Sequence, residues 1–167
     1  MACACSTASS RIISKAERAH RVQVDFYHLS AAPLARVLPQ IAEKVVAGGG
    51  RLLIVTGEAE QAAAIDRLLW SYRPDSFLPH GRAGTASDAL QPVLIAAEVD
   101  PANGARHVAL VDGAWRDEAL DFERAFHVFE EEQIEPARAA WRALGAHAGI
   151  ERRYWKQNEA GRWEQAA

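Results

Sequence analysis

The segment Arg51-Leu52-Leu53-Ile54-Val55 is a nearly continuous apolar run, preceded by Gly48-Gly49-Gly50 and followed by Thr56-Gly57-Glu58. A strand with one face in water alternates polar and apolar residues, whereas a strand buried on both faces of a parallel sheet is apolar almost throughout. The run therefore predicts a buried strand of a parallel sheet.

The segments before and after this strand both have apolar residues at helical spacing. Before it, the spacing extends from Pro33, which suits a first helical turn, to Ala47. After it, the spacing extends from Glu58 to Trp70. Both stretches are predicted to be helices, and the glycines after Ala47 are predicted to stop the first one.

Other runs predict the remaining strands and a last helix. The expected strands are Val22–His28, Pro92–Ala96, His107–Val111 and Phe126–Phe129, with a hairpin of Tyr154–Gln157 and Arg162–Trp163 around Asn158–Gly161. For the fourth strand a helix is the alternative, because Phe122, Phe126 and Phe129 also fit helical spacing. The last helix is expected between Pro136 and Gly145, after an acidic stretch that favours its N-terminal end. Strands that alternate with helices predict an α/β domain with a mostly parallel sheet and helices on both faces. We expect a single domain over residues 22–167 and a flexible N-terminal extension over residues 1–21.

Composition excludes several classes of protein. The net charge of −3 argues against a broad basic surface for nucleic acid. No apolar run approaches the roughly 20 residues that span a bilayer, so a cytoplasmic protein with no membrane partner is expected. The two cysteines, Cys3 and Cys5, are too close together for an ordinary disulfide and lack further cysteines for a metal site. No metal site is expected.

Motifs for catalysis or cofactor binding are weak. A phosphate-binding loop needs glycines after a strand and before a helix, and Gly48–Gly50 lies on the opposite side of its strand. Thr56-Gly57-Glu58 has the right position but supplies one glycine and no lysine. No Gly-x-Ser-x-Gly nucleophile elbow is present. We therefore expect no cofactor and no catalytic residue, and we interpret His80, beside Pro79, as a turn residue.

The segment after the second predicted helix is rich in large apolar residues. Trp70 ends that helix, and Phe77, Leu78 and Pro79 follow in a short proline-broken stretch. Large apolar side chains are costly to leave in water, at roughly 1.5–3 kcal/mol each. These residues therefore pack either on a partner, as in an adaptor protein, or on the core of the chain itself.

The last predicted helix carries a second candidate site. Arg138, Trp141 and Arg142 stand at i, i+3 and i+4, so their side chains share one face. Two guanidinium groups around an indole can receive a carboxylate beside an aromatic side chain, which is the chemistry of a site for an acidic, hydrophobic peptide tail. The alternative is an ordinary solvated face with Trp141 turned into the core.

A series of motifs, in order and spacing, carries a family resemblance. They are Asp25-Phe26-Tyr27-His28-Leu29, Leu69-Trp70, Ser76-Phe77-Leu78-Pro79-His80-Gly81, Gln91-Pro92-Val93, Leu110-Val111-Asp112-Gly113, Trp141-Arg142, Tyr154-Trp155-Lys156-Gln157 and Gly161-Arg162-Trp163. Through them the chain resembles the chi subunits of bacterial DNA polymerase III holoenzyme, over nearly all of its predicted domain. The N-terminal extension departs from the family pattern.

The resemblance implies a three-layer, Rossmann-like fold without nucleotide binding and a non-catalytic role in DNA replication. It implies that the chain links the clamp loader, through a psi subunit, to the acidic C-terminal tail of single-stranded DNA-binding protein, with mainly indirect contact to nucleic acid. By position, Arg138, Trp141 and Arg142 would bind the tail. Trp70, Phe77, Leu78 and Pro79 would lie on or near the surface for psi or the clamp loader.

Two other functions stay open from the residues. One is a small nucleotide-dependent enzyme that uses the strand-end crevice of an α/β sheet. The other is direct binding of single-stranded DNA, with tryptophans as stacking platforms near basic side chains. The residues for this second function are Trp141, Trp155, Trp163, Arg152, Arg153 and Lys156.

Overall fold

The computed structural model describes residues 21–167, which form eight strands and three α-helices. The strands are β1 (Val22–Leu29), β2 (Leu52–Val55), β3 (His80–Arg82), β4 (Val93–Ala96), β5 (His107–Leu110), β6 (Arg124–Glu130), β7 (Ile150–Gln157) and β8 (Trp163–Gln165). The α-helices are α1 (Leu34–Ala47), α2 (Ala59–Ser71) and α3 (Ile134–Leu144), with short 3-10 helices at Asp88–Leu90, Asp117–Asp121 and Glu131–Gln133.

All eight strands belong to one open sheet with the order β3-β4-β2-β5-β6-β1-β7-β8. Every neighbouring pair runs parallel except β7 and β8, which form the antiparallel hairpin expected from the sequence. The predicted α/β class with a mostly parallel sheet is confirmed.

The central position of β2 explains its apolar sequence. All four of its side chains are fully buried, with β4 on one side and β5 on the other. Leu52 and Ile54 belong to one apolar cluster, and Leu53 and Val55 belong to a second. Because successive side chains of a strand point to opposite faces, the two clusters lie on opposite faces of the sheet.

Helices cover both faces. The first cluster contains Leu38 of α1 and Leu69 of α2, and the second contains Ala137, Ala140 and Leu144 of α3. The small alanines of α3 let this helix approach the sheet closely. The predicted three-layer arrangement is confirmed, with α1 and α2 on one face and α3 on the other.

The helix boundaries follow the residues that predicted them. Pro33 immediately precedes α1, and Gly48 ends it. Pro136 lies in the first turn of α3, and Gly145 ends that helix. A proline at the start of a helix leaves no N–H unpaired, which suits Pro33 and Pro136, whereas Pro39 lies inside α1.

The interpretation of His80 as a turn residue is wrong. His80 begins β3, a three-residue edge strand that pairs with β4, and its side chain is buried. Its Nδ1 donates to the carbonyl oxygen of Leu78 at 2.7 Å, and its Nε2 lies 3.4 Å from Oδ1 of Asp66 in α2. The histidine thus ties the segment before β3 to the preceding helix.

The predicted N-terminal extension and the two cysteines, Cys3 and Cys5, lie outside the described residues, apart from Arg21. Within residues 21–167, none of the helices has the length and apolar character that a bilayer span requires. The same residues contain no group of three or more His, Cys, Asp or Glu side chains arranged to hold a metal ion.

Candidate functional site

The carboxyl ends of the parallel strands are where ligands usually bind in an open α/β sheet. Here Asp112, just after β5, reaches the start of α2, where the Gly57 N–H donates to its Oδ2 at 2.8 Å. Arg116 donates to both carboxylate oxygens, at 2.9 and 2.6 Å, and the Ala114 N–H donates to Oδ1 at 3.1 Å. The Asp112 carboxylate therefore accepts the Gly57 N–H just before α2.

The pKa of Asp112 shows how well this anion is held. Burial alone would raise the pKa, but the hydrogen bonds from Arg116, Gly57 and Ala114 outweigh burial and lower the pKa to about 2. The carboxylate is thus ionised at neutral pH. Because Asp112, paired with Arg116, already accepts the Gly57 N–H, this N–H is not free to bind a phosphate, which disfavours the nucleotide-dependent enzyme.

The predicted site on α3 combines a buried indole with exposed cations. Trp141 is partly buried, with its ring edge-to-face against Phe26 at 5.2 Å between centroids and against Tyr154 at 6.0 Å. Arg138 and Arg142 are exposed on the same helix. Trp141 thus packs against the core and also keeps part of its surface at the protein exterior.

Beside Trp141 lies an apolar cavity of about 250 Å³. Its walls come from the end of β6, from α3 and from β7, and they are formed by Phe129, Ile134, Ala137, Arg138, Trp141, Tyr154 and Ala167. Arg138 is the one charged side chain among these seven. The cavity is large enough for an aromatic side chain, and its rim is cationic.

The charges around the cavity are mostly positive. Arg138 Nη1 donates to Oε1 of Glu135 at 2.8 Å, and both side chains are largely exposed, so the pair is weak in water. The Arg142 Nε donates to the carbonyl oxygen of Arg138 at 3.3 Å. Within residues 21–167, no carboxylate forms a salt bridge with Arg142, so its charge is available to a ligand.

Arg152 on β7 adds a third cation that was not assigned to this site from the sequence. Its guanidinium lies 4.5 Å from the centroid of the Trp141 ring, and it donates to the Trp141 carbonyl oxygen. A cation over an indole face is favourable by roughly 0.5–2 kcal/mol. Arg152 and Tyr154 stand at i and i+2 on β7 and so share one face of the sheet.

Arg138 and Tyr154 both line the cavity, and the charge of Arg138 acts on the Tyr154 hydroxyl. Burial raises the pKa of the Tyr154 hydroxyl, and the positive charge of Arg138 opposes that shift. The hydroxyl also lies 3.1 Å from Nδ1 of His28. An anion that entered the cavity would therefore meet Arg138 and an aromatic wall together.

The second candidate surface lies at the end of α2. Trp70 is 62% exposed and Phe77 is 75% exposed, and their ring centroids are 6.2 Å apart. A shallow cavity of about 480 Å³ runs between them along residues 70–77. The alternative in which Trp70 and Phe77 close the core is wrong.

Leu78 and Pro79 have a different environment from Phe77. Leu78 is 5% exposed and belongs to the apolar cluster of α1 and α2, whereas Pro79 is half-buried. Leu78 therefore anchors this segment to the core from inside. Trp70 in turn packs on the buried His80, at 4.9 Å between ring centroids, so the exposed surface rests on a fixed base.

Comparison with known proteins shows the family of the chain. The family model described as "DNA polymerase III chi subunit, HolC" matches residues 22–151, which is most of the chain. The chain belongs to this family. The matched range includes Trp70 and Phe77, which we call the Trp70 surface, and all of α3. It ends two residues into β7, before Arg152 and Tyr154 of the α3 site.

Two curated chi-family proteins are similar over about half of the chain. One, from Rickettsia prowazekii, is named "Probable DNA polymerase III subunit chi" and is 26% identical over 89 residues, which cover 53% of this chain and 54% of that protein. The other, "DNA polymerase III subunit chi" from Pseudomonas aeruginosa, is 36% identical over 84 residues, which cover 48% of this chain and 58% of that protein. The chain thus spans between half and two thirds of the length of these relatives. The resemblance to chi subunits stated from the motifs is confirmed.

Proposed function

We propose that this chain is a non-catalytic accessory subunit of DNA polymerase III that binds the acidic C-terminal tail of single-stranded DNA-binding protein on α3. On the same proposal, the Trp70 surface binds a psi subunit or the clamp-loader assembly. The observation that carries the proposal is the cationic rim around an apolar cavity at Trp141, in a chain of the chi family.

The chemistry of the α3 site fits a chain end with an aromatic residue and nearby carboxylates. The cavity of about 250 Å³ can take the aromatic ring, which would pack against Trp141 and Tyr154. Arg138 lines the cavity and Arg142 lies one turn further along α3, so both can hold carboxylates by charge-assisted hydrogen bonds. Because these contacts are solvent-exposed, added salt is expected to weaken them.

The Trp70 surface fits a protein partner. Tryptophan and other aromatic side chains dominate the binding energy of many protein interfaces. Trp70 and Phe77 are both largely exposed, while Leu78 fixes their segment to the core. A partner that covers the two rings would remove a large apolar area from water without reorganising the chain.

The positions of the two sites support a bridging role. The Trp70 surface lies on the layer of α1 and α2, whereas the α3 site lies on the other face of the sheet. Two partners can therefore bind at the same time without steric competition. This is what an adaptor between two assemblies requires.

A peptide-binding experiment tests the α3 site. A labelled peptide that ends in aspartates and a terminal phenylalanine is titrated with the protein and followed by fluorescence anisotropy. Arg138→Glu and Arg142→Glu are each expected to weaken binding at least tenfold, and rising sodium chloride is expected to weaken binding to the unmodified protein.

A matched charge reversal serves as the control. Arg36 is exposed on α1, on the other layer, so Arg36→Glu changes the net charge equally and is expected to leave the affinity unchanged. Melting curves of all variants check that the fold is intact. Equal affinity of the unmodified protein and of both α3 variants would contradict the assignment.

A capture experiment tests the Trp70 surface separately. Immobilised protein is incubated with purified psi subunit or clamp-loader complex from the same organism. Trp70→Ala and Phe77→Ala are expected to abolish capture while peptide binding at α3 stays normal. Capture that survives both changes would contradict this part of the proposal and leave the α3 assignment untouched.

A further inference from the structure

One cavity of the described residues belongs to neither candidate site. It is a cleft of about 520 Å³ between α1 and strands β1, β6, β7 and β8, on the face of the sheet opposite to α3. Aromatic and basic side chains dominate its walls, and those that matter here are Tyr27, Lys44, Arg124, Arg153, Trp155 and Trp163. We call it the α1 cleft.

The floor of the α1 cleft is an aromatic platform. Tyr27 and Trp155 are nearly parallel, with 6.1 Å between ring centroids and 16° between ring planes. Trp163 meets Tyr27 edge-to-face at 5.0 Å. All three rings remain partly exposed, so part of their surface can accept another planar group.

A buried carboxylate holds this platform in place. Asp25 has no exposed surface, and its Oδ1 accepts a hydrogen bond from the Trp155 indole N–H at 2.8 Å. Its Oδ2 accepts from the Arg124 Nε at 2.6 Å and from the Gln23 amide at 2.7 Å. A buried carboxylate needs such hydrogen bonds to be stable. Here Asp25 on β1 fixes the indole of Trp155 on β7 and the guanidinium of Arg124 on β6. Both groups are thus preorganised at the surface.

The cations of the cleft retain hydrogen-bond donors for a ligand. Arg124 uses its Nε for Asp25, and within residues 21–167 its two terminal nitrogens have no hydrogen-bond partner. Lys44 projects from α1 and forms no salt bridge with a carboxylate of the described residues. Arg153 is paired with Glu151, whose Oε1 accepts from the Arg153 Nε at 2.8 Å. The face thus carries more positive than negative charge, since Asp25 lies below the surface.

We propose that the α1 cleft binds single-stranded nucleic acid, with bases stacked on the aromatic platform and phosphates held by Lys44 and Arg124. Stacking needs unpaired bases, so a duplex should not fit. A sheet face with exposed aromatic rings is a known way to hold unpaired bases. The cationic area is small, which agrees with the net charge of −3 and predicts weak binding that salt abolishes.

The structure divides the residues that the sequence grouped for this function. Trp155, Trp163 and Arg153 line the α1 cleft. Trp141 and Arg152 contact each other on the opposite face, at the candidate tail site. Lys156 follows Trp155 on β7, so its side chain points away from the cleft.

Binding of a fluorescein-labelled oligothymidylate of 15 nucleotides tests this proposal. The full chain is titrated at 50 mM sodium chloride, without single-stranded DNA-binding protein. Lys44→Glu is expected to weaken binding at least fivefold and to lower the slope of the salt dependence, because a phosphate contact is lost. The matched control is Lys156→Glu, which makes the same charge change on the other side of β7 and should leave the affinity within twofold.

A crosslinking experiment locates the bound bases. An oligonucleotide that carries 5-iodouracil is irradiated with the protein, and the adducts are mapped by mass spectrometry. Adducts at Tyr27, Trp155 or Trp163 are expected. Arg138→Glu should not change them, which separates this proposal from the tail site.

Five results would overturn the proposal. Four of them are no binding of the oligonucleotide at 50 mM sodium chloride, equal losses for Lys44→Glu and Lys156→Glu, adducts confined to Trp141, and equal affinity for duplex DNA. Thymidine monophosphate that competes as well as the oligonucleotide, per nucleotide, would also overturn it, because the cleft would then be a mononucleotide pocket. None of these results bears on peptide binding at α3.

Discussion

Two neighbouring residues, Phe77 and Leu78, should respond to truncation in opposite ways. Leu78 is 5% exposed and lies in the apolar cluster that contains Ile65 and Leu69 of α2. Truncation of a buried leucine to alanine costs about 2–5 kcal/mol of the free energy of unfolding, from lost burial and the cavity left behind. Phe77 is 75% exposed, so its truncation should change that free energy by less than about 0.5 kcal/mol.

These free energies translate into separable melting temperatures. For a chain of this size, 1 kcal/mol shifts the melting temperature by roughly 2–4 °C. Leu78→Ala should therefore lower the melting temperature by about 4–20 °C, and Phe77→Ala by less than about 2 °C. Circular dichroism melts and urea titrations of the two variants, run beside the unmodified protein, measure both values.

Capture of psi or of the clamp-loader assembly completes the comparison. Phe77→Ala should lose capture at full stability, while Leu78→Ala should retain capture at temperatures where it is folded. A loss of stability in Phe77→Ala as large as that in Leu78→Ala would refute the reasoning, because Phe77 would then be a core residue. An unchanged melting temperature in Leu78→Ala would equally refute the conclusion that Leu78 packs in the core.

Two further predictions concern buried titratable groups. Burial lowers the pKa of His127 to about 4, so between pH 6.5 and 4 the unfolded chain binds more protons than the folded chain, and stability should fall as the pH falls. The free energy of unfolding, measured by urea titration, should be roughly 2 kcal/mol lower at pH 5 than at pH 7.5. His127→Phe should flatten this pH dependence, and an equally steep dependence in that variant would contradict the assignment. Asp112→Asn should lower the free energy of unfolding by about 1–3 kcal/mol at pH 7, because Arg116 loses its charged partner, and an unchanged urea midpoint would contradict this.

Much of the fold could be predicted because continuous apolar runs indicate buried strands. The four residues of β2 are apolar, and all four are fully buried between two strands and two helical layers. The hairpin of β7 and β8 follows from the turn residues at Asn158–Gly161, and Gly161 adopts a positive φ of 73° there. Local sequence is sufficient in both places, since neighbouring residues decide the structure.

The strand β3 could not be predicted in the same way. It contains only His80, Gly81 and Arg82, none of which favours a strand by itself. Pairing with β4 and the hydrogen bonds of His80 to Leu78 and Asp66 determine its conformation. These contacts join distant parts of the chain, so composition carries no signal for them.

The candidate sites show the same limit at the level of single side chains. The spacing of Arg138, Trp141 and Arg142 predicted a shared helix face, because helix geometry is fixed. Arg152 comes from β7, and its place over Trp141 depends on how α3 packs on the sheet. The different exposures of Phe77 and Leu78 depend on the path of one loop, which apolar character alone does not decide.

The crevice at the carboxyl ends of the strands, where ligands usually bind in this fold, differs here in a way that favours binding sites on the outer layers. An empty crevice of this kind offers helix N–H groups to an anion, and that is what makes the α/β sheet a frequent nucleotide site. In this chain Asp112 supplies the anion, and Arg116 neutralises it. The Gly57 N–H, just before α2, is thus satisfied within the molecule. On the proposed function, recognition belongs to the outer layers, where the exposed rings of Trp70 and Phe77 and the arginines of α3 lie on opposite faces of the sheet.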